Sequence, residues 1–253
     1  MTQEVVYMAA LGIAQIRIDR PAKKNALTAA MYGALTESII RADGDDSVRV
    51  IVIRGSESAF SAGNDLTEFM RDAPAQTERP ESGFMRALVQ AEKVTIAAVS
   101  GLAVGIGTTL LLHCDLVIAG RASQFSLPFV RLGLVPEFAS SLLLPRLIGR
   151  ARAGKHLLLG DPFDAATALD YGLVSEVVED AHVVRAALEW ATRLVGLAPS
   201  AVRETKRLLR SDSQHVSDQI SRETAVFSAQ LRSPETREAL SAFVEKRAPR
   251  FVP

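Results

Sequence analysis

Residues 60–66 read Phe-Ser-Ala-Gly-Asn-Asp-Leu, residues 103–108 read Ala-Val-Gly-Ile-Gly-Thr, and residues 135–141 read Val-Pro-Glu-Phe-Ala-Ser-Ser. The first two stretches are typical of tight turns, because glycine adopts backbone conformations that other residues avoid. Such turns can aim free backbone N–H groups at an oxyanion that develops during a reaction. The third stretch supplies one carboxylate, Glu137, in an apolar setting. Together the three stretches indicate proton-transfer chemistry next to a carbonyl group.

The composition excludes several classes of protein. Lys and Arg together number 29, as do Asp and Glu, and no long basic tract interleaved with aromatic residues is present, so we expect no nucleic-acid partner. The N-terminus lacks the pattern of a signal peptide, and no apolar run reaches the ~18 residues of a membrane span. The single cysteine, Cys114, fits a reducing compartment. We therefore expect a cytoplasmic protein without a membrane partner, and the scattered histidines predict no metal site.

Alternation of strands and helices over roughly the first 180 residues predicts an α/β fold with crossover connections. After residue 178 the strand signal disappears, and helices are predicted at 181–195, at 199–209 and over a long stretch that ends near residue 246. Residues 71–81 contain two prolines and several polar side chains, which predicts a mobile surface segment. Strands are predicted at 5–11, 13–18, 48–53, 94–99, 116–119 and 124–127, a loop at 55–63, and earlier helices at 28–43, 106–113, 140–148 and 150–159.

The order and spacing of the stretches quoted above, together with the stretches listed below, resemble those of the crotonase superfamily, the enoyl-CoA hydratase/isomerase family. The resemblance covers nearly the whole chain. It implies a spiral of repeated ββα units, with a catalytic core over residues 1–195 and a helical oligomerisation region over residues 196–253. It also implies an acyl-CoA thioester substrate, no separate cofactor because coenzyme A is part of that substrate, and a homotrimer or a hexamer. The matching stretches are residues 20–27, 60–66, 105–107, 114–116, 132–136 and 243–251.

The same resemblance implies which residues form the site. Matching the two turns to the family places the two oxyanion-hole N–H groups on Asn64 and Ile106 and the catalytic carboxylate on Glu137. Ile106 also falls at the predicted start of a helix, where N–H groups lack intrahelical partners. The substrate-binding residues implied are Lys23, Phe60, Ser61, Ala62, Gly63, Asp65, Leu66, Gly105, Thr109 and Phe129. Asp65 can instead hold the turn through its own backbone.

Hydratases of this family use two glutamates, and this chain carries neither. The corresponding positions are Thr109 and Phe129, which cannot act as a general acid and base near pH 7. Glu137 matches the position of the only catalytic carboxylate in the enoyl-CoA isomerase branch. One carboxylate suffices for an allylic shift, since the same group can remove a proton from one carbon and return it to another. The expected function is therefore conversion of a 3-enoyl-CoA to a 2-trans-enoyl-CoA.

Two other interpretations remain open at the level of sequence. Residues 144–149 and the C-terminus also resemble the ring-opening isomerases of phenylacetate degradation, and a weak enoyl-CoA hydratase is a variant of that interpretation. The other alternative belongs to a different class, a non-catalytic acyl-CoA-binding subunit. A binder would not need Glu137 as a base, so the role of this carboxylate distinguishes the two classes.

Overall fold

The computed structural model describes residues 4–68, 79–210 and 212–251. Within these residues the strands form two sheets, with order β1-β2-β3-β5-β7-β10 in the larger and β4-β6-β8-β9 in the smaller. The strands are β1 Val5–Ala10, β2 Ile13–Ile18, β3 Val50–Arg54, β4 Ala59–Ser61, β5 Val94–Val99, β6 Leu102–Val104, β7 Leu116–Gly120, β8 Gln124–Ser126, β9 Phe163–Asp164 and β10 Glu176–Val178. The helices are α1 Ala29–Gly44, α2 Pro80–Gln90, α3 Ile106–Thr109, α4 Ser140–Ile148, α5 Arg150–Leu158, α6 Ala165–Asp170, α7 Val183–Val195, α8 Pro199–Leu209, α9 Ser213–Leu231 and α10 Pro234–Val244.

The chain repeats one unit as it passes between the sheets. Strands β3, β5 and β7 lie in the larger sheet, and each is followed by a strand of the smaller sheet, β4, β6 or β8. All neighbours within these two sets run parallel, so each unit needs a crossover back to the larger sheet. This arrangement is the predicted spiral of ββα units.

The larger sheet is buried on both faces, which explains the uninterrupted apolar sequence of β3. Ile51 and Ile53 face the main core, whereas Val50 and Val52 face α7 on the opposite side. Successive side chains of a strand point to opposite faces, so a strand covered on both sides needs an apolar residue at every position. The hydrophobic pattern thus fixes the layer order of the fold.

The helices after residue 195 are tied to the body by buried polar contacts. Lys206 and Arg210 reach Asp115 at 2.9 and 3.0 Å, and Asp115 also accepts a 2.7 Å hydrogen bond from the N–H of Thr95 in β5. Farther along, the Thr236 hydroxyl donates to the Gly133 carbonyl at 2.7 Å. These helices still expose large apolar side chains, namely Leu208, Leu209, Phe243 and Val244.

Three sequence expectations need correction. The predicted loop at 55–63 contains strand β4, and the long helical stretch expected up to residue 246 is divided into two helices. The break occurs because the Ser233 hydroxyl caps α10 and Pro234 occupies its first position. The mobile surface segment 71–81 lies mostly outside the described residues. Its last residue is not at the surface, since Glu81 is only 4% exposed at the start of α2.

No helix in the described part of the chain is long and apolar enough to span a membrane.

Asp115→Asn is predicted to destabilise the protein by about 3–5 kcal/mol, because it leaves the buried Lys206 ammonium without its counter-charge. Urea unfolding at neutral pH measures this loss. The matched control is Asp212→Asn, which breaks an ion pair between half-exposed side chains and should change stability little. Equal effects of the two substitutions would show that Asp115 does not anchor α8.

Candidate active site

The first turn follows β4 and is fixed by the loop at residues 20–27. The Leu27 N–H donates to the Gly63 carbonyl at 2.7 Å, and the Asp65 N–H donates to the Leu27 carbonyl at 2.8 Å. In such a parallel bridge the residue between the two bonded positions points its own N–H away from the partner. That residue is Asn64, and no hydrogen bond among the described residues takes up its N–H.

The second turn follows β6 and begins α3. Gly105 has φ 54° and ψ −120°, a conformation that residues with a side chain avoid, and its N–H donates to the Ser126 carbonyl. Its carbonyl accepts from the N–H groups of Thr108 and Thr109, both at 2.9 Å. The N–H of Ile106 precedes these bonds and has no partner among the described residues, as expected for the first turn of a helix.

Two glycines bring the turns together. Strands β4 and β6 are parallel neighbours, so the turns leave the same edge of the smaller sheet. A β-carbon on Gly63 would lie 2.9 Å from the Val104 carbonyl oxygen, and one on Gly107 would lie 2.7 Å from the Ser61 carbonyl oxygen. Both distances are too short for a side chain. The absence of a β-carbon at both positions therefore permits the close approach of the two turns.

A buried asparagine sets the position of the first turn. The Asn25 amide donates to the Ala59 carbonyl at 2.7 Å, and its side-chain oxygen accepts from the Arg20 N–H at 2.7 Å. The Ser61 hydroxyl donates to the Asn25 carbonyl and accepts from the Gly63 N–H. Asn25 has a positive φ of 58°, which Asn tolerates better than most residues. This network explains the Asn in the 20–27 motif.

Glu137 is a buried carboxylate that follows the 3-10 turn at residues 130–132 and precedes α4. Its side chain is 4% exposed, and burial raises its pKa to about 8. The negative charge of Glu81 raises this pKa further, Arg79 lowers it, and Glu223 raises it. Tyr32 lies near both this carboxylate and the first turn: burial raises the pKa of its phenol well above the ordinary value, the charges of Glu81 and Glu137 raise it further, and the phenol donates to the Asn64 side-chain oxygen.

The backbone after Glu137 is held in an uncommon conformation. Phe138 and Ala139 have φ values of 58° and 55°, which are rare for residues with a side chain. The Phe138 carbonyl accepts a 2.7 Å hydrogen bond from His113 Nε2, and the two rings stack with centroids 3.8 Å apart. Burial lowers the pKa of His113 to about 4, so the ring is neutral and donates through Nε2. His113 therefore supports the segment that carries Glu137.

The two positions that hold glutamates in hydratases are buried and uncharged. Thr109 is fully buried, and its hydroxyl has no hydrogen-bond partner among the described residues. Phe129 is 4% exposed, and its ring edge would lie 4.0 Å from a β-carbon on Gly105. Phe129 thus faces the second turn with an apolar surface, where it can exclude water but cannot transfer a proton.

The structure shows what several residues predicted to bind substrate do in the fold. Phe60 and Ser61 are fully buried: Phe60 belongs to the core, and Ser61 fixes the turn through its hydrogen bonds. Asp65 accepts from the N–H groups of Thr67 and Glu68 and pairs with Arg20 at 2.7 Å. It therefore holds the turn. Contact with substrate stays a prediction for every residue named for it, namely Lys23, Phe60, Ser61, Ala62, Gly63, Asp65, Leu66, Gly105, Thr109 and Phe129.

No sequence motif predicted Tyr32, Arg79 or Glu81 as part of the site. Tyr32 lies among the apolar residues of α1, where a buried phenol requires a partner, and this requirement was its only sequence signal. Arg79 and Glu81 lie at the end of a proline-containing polar segment and carried no signal of burial. Their approach to Glu137 depends on the packing of α2 against the body.

The fold and this geometry define a class: an α/β spiral with two free N–H groups on neighbouring turns and, in Glu137, a buried carboxylate of raised pKa. Comparison with known proteins agrees. A sequence model of the enoyl-CoA hydratase/isomerase family matches residues 9–252, and the chain belongs to that family.

Named relatives include both isomerases and hydratases. The chain is 33% identical to 1,2-epoxyphenylacetyl-CoA isomerase of Escherichia coli K12 over 95% of each chain. It is 35% identical to 2,3-dehydroadipyl-CoA hydratase of the same organism over 93% of each chain. The crystal structure of an enoyl-CoA hydratase/isomerase from Pseudoalteromonas atlantica T6c matches it with a TM-score of 0.94 at 39% identity, covering 99% of this chain and 100% of that one.

Removal of the Ile106 N–H alone is predicted to lower turnover on an acyl-CoA substrate by ~10²–10³. Replacing Ile106 by its α-hydroxy acid converts the amide to an ester, which deletes the donor and keeps the buried side chain in the core. The control is Asn64→Ala, which keeps the N–H, loses only the side-chain bond to Tyr32, and should cost less than about tenfold. An ester variant with normal turnover would mean that Ile106 is not a donor.

The pKa of Glu137 also predicts how stability depends on pH. Between the ordinary glutamate value of 4.5 and about 8 the folded protein binds a proton that the unfolded chain has lost, so stability should fall as pH rises. Glu137→Gln cannot ionise and should be stabilised relative to wild type more at pH 9 than at pH 5. Thermal unfolding at both values measures this difference. The exposed Glu92→Gln should show no such pH dependence. If Glu137→Gln also shows no pH dependence, the raised pKa of Glu137 is contradicted.

Proposed function

We propose that the protein isomerises a 3-enoyl-CoA to the conjugated 2-trans-enoyl-CoA. Glu137 acts as the single proton carrier, and the N–H groups of Asn64 and Ile106 form the oxyanion hole. The observation that carries this proposal is a buried base combined with two hydratase positions that lack a carboxylate. Burial raises the pKa of Glu137 to about 8, and Thr109 and Phe129 stand where hydratases of this family carry their two glutamates.

The reaction requires two proton transfers. The Glu137 carboxylate removes a proton from the carbon next to the thioester carbonyl, and the electron pair moves onto the carbonyl oxygen to give a dienolate. The two N–H groups hold this oxygen where negative charge develops. The double bond forms between the second and third carbons as Glu137 returns the proton to the fourth carbon. No water is consumed, and Glu137 ends as a carboxylate.

The raised pKa of Glu137 suits this role. A carboxyl group with a pKa near the working pH can both accept and return a proton. An ordinary glutamate is a far weaker base. The burial that produces the shift costs stability, because charge on Glu137 is poorly solvated and no hydrogen bond among the described residues supports it. Such a cost favours a catalytic role over that of a non-catalytic acyl-CoA-binding subunit.

A second candidate is ring-opening isomerisation of an epoxide-type acyl-CoA. It is favoured by the 33% identity with 1,2-epoxyphenylacetyl-CoA isomerase, which extends over nearly the whole of both chains. The same carboxylate and oxyanion hole would serve that reaction. A weak enoyl-CoA hydratase is a lesser candidate, because Phe129 places an apolar ring where hydratases need a carboxylate.

We extend the proposal to the setting of the reaction. The family resemblance and the exposed apolar side chains of α8 and α10 support a homotrimer or a hexamer. The single cysteine, which forms no disulfide, supports a cytoplasmic location.

Glu137→Gln is predicted to lower the isomerisation of 3-hexenoyl-CoA by at least ~10²-fold, because it keeps the shape and removes the base. Absorbance of the conjugated product measures the rate, and circular dichroism and acyl-CoA affinity test that the variant is intact. Wild type should hydrate crotonyl-CoA far more slowly than it isomerises 3-hexenoyl-CoA.

Three outcomes would contradict the proposal. Retention of more than about a tenth of wild-type turnover by the variant would remove Glu137 from the mechanism. Hydration as fast as isomerisation would indicate a hydratase. Isomerisation of 1,2-epoxyphenylacetyl-CoA in preference to 3-hexenoyl-CoA would favour the second candidate.

A further inference from the structure

A second buried glutamate lies beside Glu137 and is absent from the mechanism above. Glu81 occupies the first turn of α2 and is 4% exposed, the same value as Glu137. Carboxylates are rarely buried unless they are paired. The partner is Arg79, which donates from Nε and Nη2 to one oxygen of Glu81.

The position of this ion pair is fixed by two elements that flank Glu137. On α2, Glu81 is one turn from Phe84, whose ring centroid lies 6.2 Å from that of Phe138, the residue after Glu137. On α9, the Phe227 ring lies 4.4 Å from Cζ of Arg79. Arg79 therefore connects the start of α2 with α9, and this contact holds the ion pair in place.

A third carboxylate completes the cluster from the side of α9. Glu223 is one turn before Phe227, and it accepts hydrogen bonds from the N–H and hydroxyl of Ser141 at the start of α4. The Glu223 carboxylate therefore supports the segment that follows Glu137 through these hydrogen bonds. Among the described residues, the titratable groups around Glu137 are Tyr32 on α1, Arg79 just before α2, Glu81 on α2, His113 after α3, and Glu223 on α9.

The charges of Glu81 and Arg79 determine how this ion pair affects Glu137. His113 and Tyr32 are neutral near pH 7, because burial lowers the pKa of His113 to about 4 and raises that of Tyr32 well above its ordinary value. Glu81 is therefore the anion whose charge acts most strongly on Glu137, and Arg79 opposes it in part. Two carboxylates in a low-dielectric site compete for one proton.

Resting on the function proposed above, we propose that Glu81 is a positioning residue for the reaction: its buried carboxylate, held by Arg79 in the first turn of α2, assists Glu137 in removing the carbon-bound proton. The like charge of Glu81 disfavours ionisation of Glu137 and so keeps it a strong base. The charge of Arg79 limits this effect.

The test is Glu81→Gln, whose amide oxygen can still accept from Arg79. Loss of the negative charge should lower the pKa of Glu137 by about one pH unit. The acid limb of the kcat/KM profile for 3-hexenoyl-CoA should move to lower pH by the same amount, and the rate at high pH should fall because the base is weaker. A purely structural role would lower activity at every pH without moving the limb.

The matched control is Glu92→Gln, the same substitution at an exposed position just beyond the other end of α2. It should leave the profile unchanged. Arg79→Gln gives a second, opposite test, because the carboxylate pair then loses its counter-charge and takes up a proton at higher pH. If neither Glu81→Gln nor Arg79→Gln moves the acid limb while both remain folded, the proposal is wrong.

Infrared difference spectra separate this proposal from the proposed function. The protonated-carboxyl band that is missing in Glu137→Gln reports the titration of Glu137 without any substrate. A downward shift of that titration in Glu81→Gln supports the inference even if 3-hexenoyl-CoA proves not to be a substrate. An unchanged titration overturns it even if isomerisation is rapid, and this readout also decides the matter if a variant is inactive.

Discussion

The close approach of two backbone turns is the constraint on which the site depends. Gly63 lies against the Val104 carbonyl and Gly107 against the Ser61 carbonyl, at distances that a β-carbon would not permit. Parallel pairing of β4 with β6 brings both turns to one edge of the smaller sheet, and the bonds to Leu27 and Ser126 orient them. The N–H groups of Asn64 and Ile106 stay free in this packing. The nearby carbonyl groups of Gly63 and Gly105 already accept hydrogen bonds from other residues.

Around these donors the protein builds a dry, apolar enclosure with a few buried charges. Phe129, Phe138 and Phe84 exclude water, which raises the energy of an ionised Glu137 and makes it a stronger base. His113 donates to the Phe138 carbonyl, and Glu223 accepts from the Ser141 N–H, so both side chains bond to the backbone after Glu137. The carboxylate is therefore held by its main chain and left without hydrogen bonds from the described residues. That arrangement suits a group which must accept and release a proton.

Much of the fold could be predicted from the sequence because its signals are local. The apolar run of β3 predicts a strand buried on both faces, Thr28 predicts the start of α1, and the glycines at 63, 105 and 107 predict turns. The prediction was wrong at Glu81, where neighbouring prolines and polar side chains indicated surface. Here α2 starts on Pro80 and turns Glu81 into the interior, because the helix packs through Phe84 and Leu88 against α1 and the core. Arg79, the partner of Glu81, is close in sequence, but the Phe227 ring that Arg79 covers belongs to α9, and local composition carries no record of that contact.

The sequence by itself determined the family, the order of the ββα units, and the presence of a single candidate base with Thr109 and Phe129 in place of further carboxylates. These properties depend on residue identity and on spacing along the chain. Only the tertiary structure decided that Ser61 fixes the first turn while Phe60 joins the core, that Tyr32 donates to Asn64, and that Glu81 is buried in the interior. Electrostatic interactions depend on distance and on desolvation, and both are set when α1, α2 and α9 pack around residues that are far apart in sequence.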